Sequence, residues 1–215
     1  MKPRIDYTVI CDRTNNPIRK PKIYVFSGYS GAGKDSAASV LTAKVVKFAS
    51  PGKKALEFIY HLPSGFMDDR VARQQIAPHS DGKTYLEVLI EFWKHRDLLV
   101  GDQLFGEQTK AEILGCLLSG RDVTVTDMRN RNELAVLFDL YELGYEIVPV
   151  WIYGGTKLES DVYQDELYRR LCAFVGTTGI NIVNDLPTVR QFKNQVLAEL
   201  FPTVTSRSEI ADLVS

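Results

Sequence analysis

The sequence predicts an α/β fold in which a mostly parallel sheet is covered by helices on both faces. Apolar runs typical of buried strands alternate along the chain with segments whose apolar residues recur at helical spacing. Because parallel strands need helical crossovers between them, this alternation favours a parallel sheet. A glycine-rich segment, 28–33, follows the first clear strand and precedes a helix, which predicts a ligand site at the carboxyl edge of the sheet.

The predicted elements follow one another in a simple order. Residues 1–21 form an extension, in which 7–11 could be a short strand paired with the next one, and 202–215 form a tail. Residues 62–83 lack periodicity and contain prolines and glycines, which indicates a mobile insertion. The 215 residues suit one domain with insertions better than two domains. The predicted strands are 23–26, 45–48, 123–126, 146–152 and 180–183, and the predicted helices are 36–44, 53–61, 84–95, 104–118, 130–143, the middle of 154–178, and 188–200.

Three further details of these elements are predicted. Pro51 and Gly52 mark a turn before the helix 53–61. Thr84 and Glu87 have the spacing of a capping box at the start of the helix 84–95. The apolar faces that are expected to point inward include Ile90, Tyr141 and Val189.

Composition argues against several classes of protein. Lys and Arg (26) nearly balance Asp and Glu (27), so no overall charge attracts a nucleic-acid polymer or an anionic membrane. The three cysteines are an odd number without a C-x-x-C pair, which argues against a disulfide framework or a zinc site. The N-terminus lacks the apolar core of a signal peptide, and no apolar run approaches the roughly 18 residues that span a bilayer. These features predict a cytoplasmic protein.

The strongest motif is a phosphate-binding loop. Residues 28–36 have the sequence G-Y-S-G-A-G-K-D-S, which matches G-x-x-x-x-G-K between a predicted strand and a predicted helix. Glycines let the backbone wrap closely around a triphosphate, and the helix N-terminus adds free N–H groups. The lysine reaches the β- and γ-phosphates in such loops. The sequence therefore predicts a P-loop NTPase that binds ATP through Gly28, Tyr29, Ser30, Gly31, Ala32, Gly33, Lys34, Asp35 and Ser36.

Asp35 stands where a Ser or Thr hydroxyl usually binds Mg²⁺, and two interpretations of it remain open. Its carboxylate can hold the ion through water or face the acceptor, with Ser36 supplying the hydroxyl. Alternatively, its negative charge only stabilises the first turn of the helix.

A second carboxylate, Asp127, follows the predicted strand 123–126. In phosphate-loop enzymes an aspartate at this place helps to hold Mg²⁺. Arg129 lies two residues further on and can grip a phosphate through both arms of its guanidinium. We therefore predict Asp35, Ser36 and Asp127 as metal ligands, and Lys34, Asp35, Asp127 and Arg129 as catalytic residues.

These motifs, with three others, resemble the bacteriophage deoxynucleoside monophosphate kinases. The resemblance runs from about residue 22 to 200, and its most specific parts are the G-K-D-S and T-D-x-R-x-x-x-E segments. The sequence departs from the family's pattern over 85–107, a region that bears on the choice of acceptor. The matching segments are G-K-D-S at 33–36, F-A-S-P-G-K at 48–53, G-K-T at 82–84, V-T-D-M-R-N-R-N-E at 125–133 and I-V-N-D at 182–185.

The resemblance implies the nucleotide-kinase form of the P-loop fold over 22–201, with strand order 2-3-1-4-5. It implies ATP and a deoxynucleoside monophosphate (dNMP) as substrates, Mg²⁺ as cofactor, and the reaction ATP + dNMP = ADP + dNDP. An insertion at about 50–104 would bind the acceptor, and a lid at about 154–178 would close over ATP. A phage-encoded chain would act in the host cytoplasm, and a homodimer is possible.

The resemblance also assigns roles around the T-D-x-R-x-x-x-E segment. Asp127, Arg129 and Glu133 would contribute to catalysis and acceptor binding, but Asn130 and Glu133 also have the spacing of a capping box. Asn184 lies where such kinases contact the adenine of ATP, or it only forms a turn.

Five further cations have predicted roles. Lys53 and Arg70, with Arg73 beside them, would hold the acceptor phosphate, unless they are simply solvated side chains. Arg169 and Arg170 would close on the transferred phosphoryl group, unless they only occupy an exposed helix face.

Two other functions stay open. One is a different small-molecule kinase of the same fold, such as a dephospho-coenzyme A kinase, which shares the Asn-Asp element but not the T-D-x-R-x-x-x-E segment. The other is a regulator that binds ATP without transferring phosphate, and the presence of Lys34, Asp127 and Arg129 argues against it.

Overall fold

The computed structural model describes residues 19–100, 104–156 and 163–202. Within these ranges the chain forms a five-stranded sheet in which every pairing is parallel, with the order β2-β3-β1-β4-β5. This confirms the predicted fold class and strand order. The short strand predicted at 7–11 and nearly all of the predicted tail lie outside the described residues. The strands are β1 (Lys22–Ser27), β2 (Lys44–Val46), β3 (Val123–Val125), β4 (Glu146–Tyr153) and β5 (Ile180–Val183).

The chain divides into two compact units. One, Met1–Val46 with Glu112–Ser215, contains the sheet, and the other, Lys47–Ala111, is the segment between β2 and β3. The described helices are α1 (Lys34–Ala38), α2 (Ser50–Ile59), α3 (Tyr85–Val100), α4 (Leu104–Leu118), α5 (Arg131–Glu142), α6 (Gln164–Val175) and α7 (Val189–Leu200), and two 3₁₀ turns span Phe66–Asp68 and Ala72–Gln74.

Strand β1 is the centre of the sheet. Ile23 lies opposite Val123 of β3 on one side and opposite Ile147 of β4 on the other. Both hydrogen-bonding edges of β1 are therefore paired over residues 23–25.

Alternating side chains of the strands bury both faces of the sheet. On one face Phe26 and Ile152 form a core with Phe192 and Val196 of α7, together with apolar residues of α1. The preceding residue of β4, Trp151, points to the other face and contacts Tyr168 of α6. The predicted helical cover on both faces is confirmed.

The helix after the phosphate loop is shorter than predicted. It ends at Ala38, and the amides of Val40 and Leu41 donate to carbonyls only three residues back. The hydroxyl of Ser39 also bonds the carbonyl of Ser36 at 2.8 Å. Tight turns thus replace the helix predicted as far as 44, because β2 must begin at Lys44.

In the second unit, Pro51 and Gly52 form the first turn of α2 rather than the predicted turn before it. Proline fits a helix start because the first helical amides have no partner within the helix. Gly52 is buried, and a Cβ there would lie 2.6 Å from the Trp93 ring. The glycine that suggested a turn is therefore required by packing between α2 and α3.

Helix α3 has the predicted start and a different buried face. The hydroxyl of Thr84 accepts from the amide of Glu87 at 3.2 Å, and the Glu87 carboxylate accepts from the amide of Thr84 at 2.8 Å, which confirms the capping box. The bonds that the Thr84 amide and hydroxyl donate to the Glu87 carboxylate lower its pKa. Ile90, predicted to face inward, is exposed, while Tyr85 and Leu89 are buried. Similar errors occur at Tyr141 of α5 and Val189 of α7, which are also exposed.

We predict opposite effects for two glycine-to-alanine changes in helices. Gly52→Ala should lower the free energy of unfolding by about 1–3 kcal/mol, because the new methyl group overlaps the Trp93 ring. A Cβ at Gly115 in α4 would meet no atom within 4 Å. Gly115→Ala should therefore raise the free energy of unfolding by up to about 1 kcal/mol, because alanine favours a helix more than glycine does. Urea denaturation of both variants measures the difference. Equal effects of the two changes would contradict the packing described for α2.

Candidate phosphate-binding site

The loop between β1 and α1 has the backbone of a phosphate-binding loop. Gly28, Gly31 and Gly33 have φ angles of 142°, 75° and 95°, a region that favours glycine. Gly28 also passes so close to β4 that a Cβ would lie 2.4 Å from the carbonyl oxygen of Ile152. Conformation and space therefore both require glycine at this position.

Lys34 extends back along this loop. Its ammonium donates to the carbonyl oxygens of Gly28 at 2.7 Å and Tyr29 at 2.8 Å. Two backbone acceptors thus hold the positive charge at the loop, the place where the motif predicts that it meets phosphate.

Asp35 is directed to the end of β3. Its Oδ1 accepts from the hydroxyl of Thr126 at 2.8 Å, and Thr126 is buried immediately before Asp127. Stabilisation of the first helical turn alone does not account for this directed bond. The structure therefore links the loop aspartate to the strand end that carries Asp127. Sequence reasoning overlooked Thr126, although a polar residue beside a strand-end aspartate was visible in V-T-V-T-D.

The segment after β3 is held by its own side chains. The Glu133 carboxylate accepts from the backbone amides of Arg129 and Asn130, and the amide of Glu133 donates to Asn130 Oδ1 at 3.0 Å. This arrangement is a complete capping box at the start of α5. Glu133 therefore orients the backbone beneath Arg129, and its contact with an acceptor stays a prediction.

Asp127 is half-buried at the edge of the sheet, and Arg129 is exposed. Met128 between them is buried, and its carbonyl accepts from the side-chain amide of Gln164 at 3.0 Å. The neighbouring carboxylate of α6, Asp165, accepts from the Tyr29 hydroxyl at 2.7 Å. Sequence reasoning assigned no role to Gln164 or Asp165, because neither belongs to a motif.

Asn184 follows β5 and contacts the phosphate loop. Its side-chain amide donates to the carbonyl of Ala32 at 2.8 Å, and its backbone amide donates to that of Tyr153 at 2.8 Å. A Cβ at Gly33 would lie 2.8 Å from the same side chain. Asn184 therefore fixes the loop against β5, and its contact with adenine stays a prediction.

The residues after β4 also pack on the loop. The amide of Thr156 donates to the carbonyl of Ser30 at 2.9 Å, which forms a short antiparallel bridge. Gly155, with φ 72°, has no room for a side chain, since a Cβ would lie 2.2 Å from the Ser30 oxygen. The loop is thus held by the backbone that follows β4 as well as by the Asn184 side chain after β5.

Arg169 and Arg170 lie on the exposed side of α6, where Arg170 pairs with Glu166. The opposite side of this helix buries Leu167 and Leu171. Movement of the whole of α6 would expose these leucines. The contact of the two arginines with a phosphoryl group stays a prediction.

In the second unit, Lys53 and Arg70 differ in their surroundings. Lys53 is largely buried and pairs with Asp68, with 2.6 Å between Nζ and Oδ1, whereas Arg70 is exposed. Nearby, the buried Glu57 carboxylate accepts from the amide of Met67 at 2.9 Å. Acceptor binding by these cations stays a prediction.

The described cysteines, Cys116 and Cys172, are buried and not paired in a disulfide. Burial raises the pKa of the Cys172 thiol, which keeps it protonated near neutral pH. Among the described residues, no group of three or more His, Cys, Asp or Glu side chains is placed to hold a metal ion.

No helix in the described part of the chain has both the length and the apolar composition needed to cross a membrane.

No protein-family model matches the chain, and no curated protein matches it. Among solved structures, it is similar to an unliganded sugar kinase from Janibacter sp. HTCC2649, with 14% identity and a TM-score of 0.38. The match covers 84% of this chain and 94% of that one.

We predict that Gly155→Ala weakens ATP binding at least tenfold, because the new methyl group must displace the backbone at Ser30 and Ala32. Gly120→Ala is the matched control. Gly120 has nearly the same φ as Gly155, 76°, but a Cβ at Gly120 would meet no atom within 4 Å. Both variants therefore carry the backbone strain of about 1–2 kcal/mol, and Gly155→Ala alone adds the overlap. Isothermal calorimetry with ATP compares them, and equal affinities would argue against the described packing of the loop.

Proposed function

We propose that the protein transfers the γ-phosphoryl group of ATP to a deoxynucleoside monophosphate. The observation that carries the proposal is the hydrogen bond between Thr126 and Asp35, 2.8 Å long. It joins the phosphate loop to the strand end that carries Asp127 and precedes Arg129. A loop for the donor and a carboxylate-arginine segment for the transferred group therefore meet at one edge of the sheet, as phosphoryl transfer requires.

The loop supports the assignment of ATP as donor. Its glycines bring backbone amides close to a bound anion, and Lys34 supplies a cation at the same place. Neutralising charge on the β- and γ-phosphates is the main task in this reaction.

The same edge fits Mg²⁺. The ion prefers carboxylate and hydroxyl oxygens, and in kinases one or two carboxylates with waters and substrate phosphates complete its coordination. Asp35, Ser36 and Asp127 supply such oxygens, and Asp35 is already oriented by Thr126. When bound, Mg²⁺ neutralises charge on the phosphates.

The acceptor we propose needs no general base, because its attacking atom is an anionic phosphate oxygen. The protein must instead bind two anions close together. Arg129 is exposed at the sheet edge, and its backbone is fixed by the Glu133 carboxylate. A guanidinium can bind a phosphate through paired hydrogen bonds. The choice of a dNMP over other phosphate acceptors rests on the resemblance of segments 33–36 and 125–133 to the phage kinases.

A substrate panel tests the proposal. The purified chain is incubated with Mg-ATP and, separately, each dNMP, each ribonucleotide NMP and dephospho-coenzyme A, and ADP release is followed. We expect turnover with at least one dNMP. Turnover only with dephospho-coenzyme A would support the alternative kinase, and tight ATP binding without turnover on any acceptor would support a regulator.

Lys34→Ala should lower kcat by on the order of 10²–10³, because one positioned cation is lost from the phosphates. The fold should persist, since the Lys34 ammonium bonds two backbone carbonyls of its own loop. Steady-state kinetics and thermal melting measure the two effects. Activity within threefold of wild type would refute a phosphoryl-transfer role for the loop.

Arg129→Ala should lower kcat/KM for the dNMP by about ten- to a hundredfold, while ATP affinity and melting temperature stay unchanged. Arg129→Lys should restore only part of the loss, because an ammonium cannot form the paired bonds of a guanidinium. Arg131→Ala is the matched control, since Arg131 is an exposed arginine of the same segment with only a loose 3.9 Å contact to Glu166. Wild-type kinetics in Arg129→Ala would show that this segment is structural.

A further inference from the structure

We propose that Gln164 and Asp165, at the start of α6, are positioning residues that couple the phosphate loop to the Asp127–Arg129 segment. Each acts through a residue that it holds, Gln164 through Met128 and Asp165 through Tyr29. The inference rests on the proposed function, because it assigns the two segments to donor and transferred phosphate.

Gln164 fixes the segment between the two predicted catalytic groups. It is only 4% exposed, and its side-chain amide donates to the carbonyl of Met128 at 3.0 Å. Met128 itself is 2% exposed. Because Met128 lies between Asp127 and Arg129, holding its carbonyl limits rotation of the backbone that orients both side chains.

Asp165 fixes the phosphate loop. It accepts from the Tyr29 hydroxyl at 2.7 Å, and the Tyr29 ring packs edge-on against Trp151, with centroids 5.6 Å apart. The backbone carbonyl of Tyr29 is one of the two acceptors of the Lys34 ammonium. By holding Tyr29, the Asp165 carboxylate thus restrains the position of the loop and of Lys34.

Consecutive residues in the first turn of a helix cannot move independently. The following turns of α6 are anchored by Leu167 and Leu171, which are 2% and 0% exposed. One rigid element therefore sets the loop and the Asp127–Arg129 segment together, and a shift of its first turn would displace both. We therefore expect the loss of both bonds together to differ from the combined effect of losing each bond alone.

Three variants separate the two sides. Gln164→Met keeps the volume and removes the bond to Met128, Asp165→Ala removes the acceptor of Tyr29, and Tyr29→Phe removes the donor of the same bond. Tyr141→Phe is the control, because it removes a 3.4 Å bond from α5 to the end of α6 at Val175, away from the loop. Asp165→Asn keeps an oxygen acceptor and should restore most of what Asp165→Ala loses.

The readouts are ATP affinity, kcat and KM for the dNMP, and hydrogen exchange of the amides in 126–133. ATP affinity is followed by the fluorescence of Trp151 in a Trp93→Phe background, since Trp151 contacts Tyr29. Gln164→Met should lower kcat about five- to tenfold and speed exchange in 126–133, with KM and ATP affinity within twofold of wild type. Asp165→Ala and Tyr29→Phe should each weaken ATP binding about three- to tenfold.

The coupling itself is measured by the double variant Gln164→Met with Tyr29→Phe. We expect its loss of kcat/KM to differ at least threefold from the product of the single losses. Additive losses, or a Gln164→Met variant with wild-type kcat and exchange, would overturn the proposal. If the wild-type chain phosphorylates no dNMP, the proposed function fails, whereas ATP affinity and hydrogen exchange still decide whether α6 positions the two segments.

Discussion

The structure of the site depends on one constraint, the close approach of backbone to backbone around the phosphate loop. Gly28 passes β4 with no space for a side chain, and Gly155 does the same beside Ser30. Asn184 closes the remaining side through its bond to Ala32. A loop enclosed in this way keeps its amides in a fixed arrangement before any ligand binds, so little ordering entropy is lost on binding.

Side-chain hydrogen bonds fix the neighbouring groups at the same edge of the sheet. Thr126 holds Asp35, and Glu133 holds the backbone at Arg129, so the candidate ligands of metal and phosphate are oriented by neighbours rather than by solvent. Pre-organised groups of this kind stabilise developing charge without reorganising during the reaction. The first turn of α6 bonds both to the phosphate loop and to the segment after β3, although this helix belongs to no motif.

Motif residues could be placed from the sequence because their local pattern specifies a local structure. The strand order, the phosphate loop and both capping boxes belong to this class, since each depends on spacing within a few residues or on the resemblance. The prediction of a turn at Gly52 was wrong because this glycine is required by contact with the Trp93 ring, which is 41 residues away in sequence and adjacent in space. Thr126 and Gln164 were overlooked for the same reason, as their partners come from other elements. Periodicity also misjudged Ile90, because several adjacent positions of α3 are apolar and packing alone decides which of them is buried.

The place where the second unit joins the sheet has a consequence for how such a chain can diversify. The segment Lys47–Ala111 follows β2, and the chain then returns to β3 through the end of α4. These two strands are parallel neighbours, so the chain leaves the sheet at the carboxyl end of β2 and re-enters it at the amino end of β3. The segment between them has a core of its own, in which Leu56, Met67, Tyr85 and Leu89 are buried. A segment with its own core can be changed with little effect on the host fold. This architecture lets recombination replace the whole intervening segment while the loop, Asp127 and Asn184 are inherited unchanged.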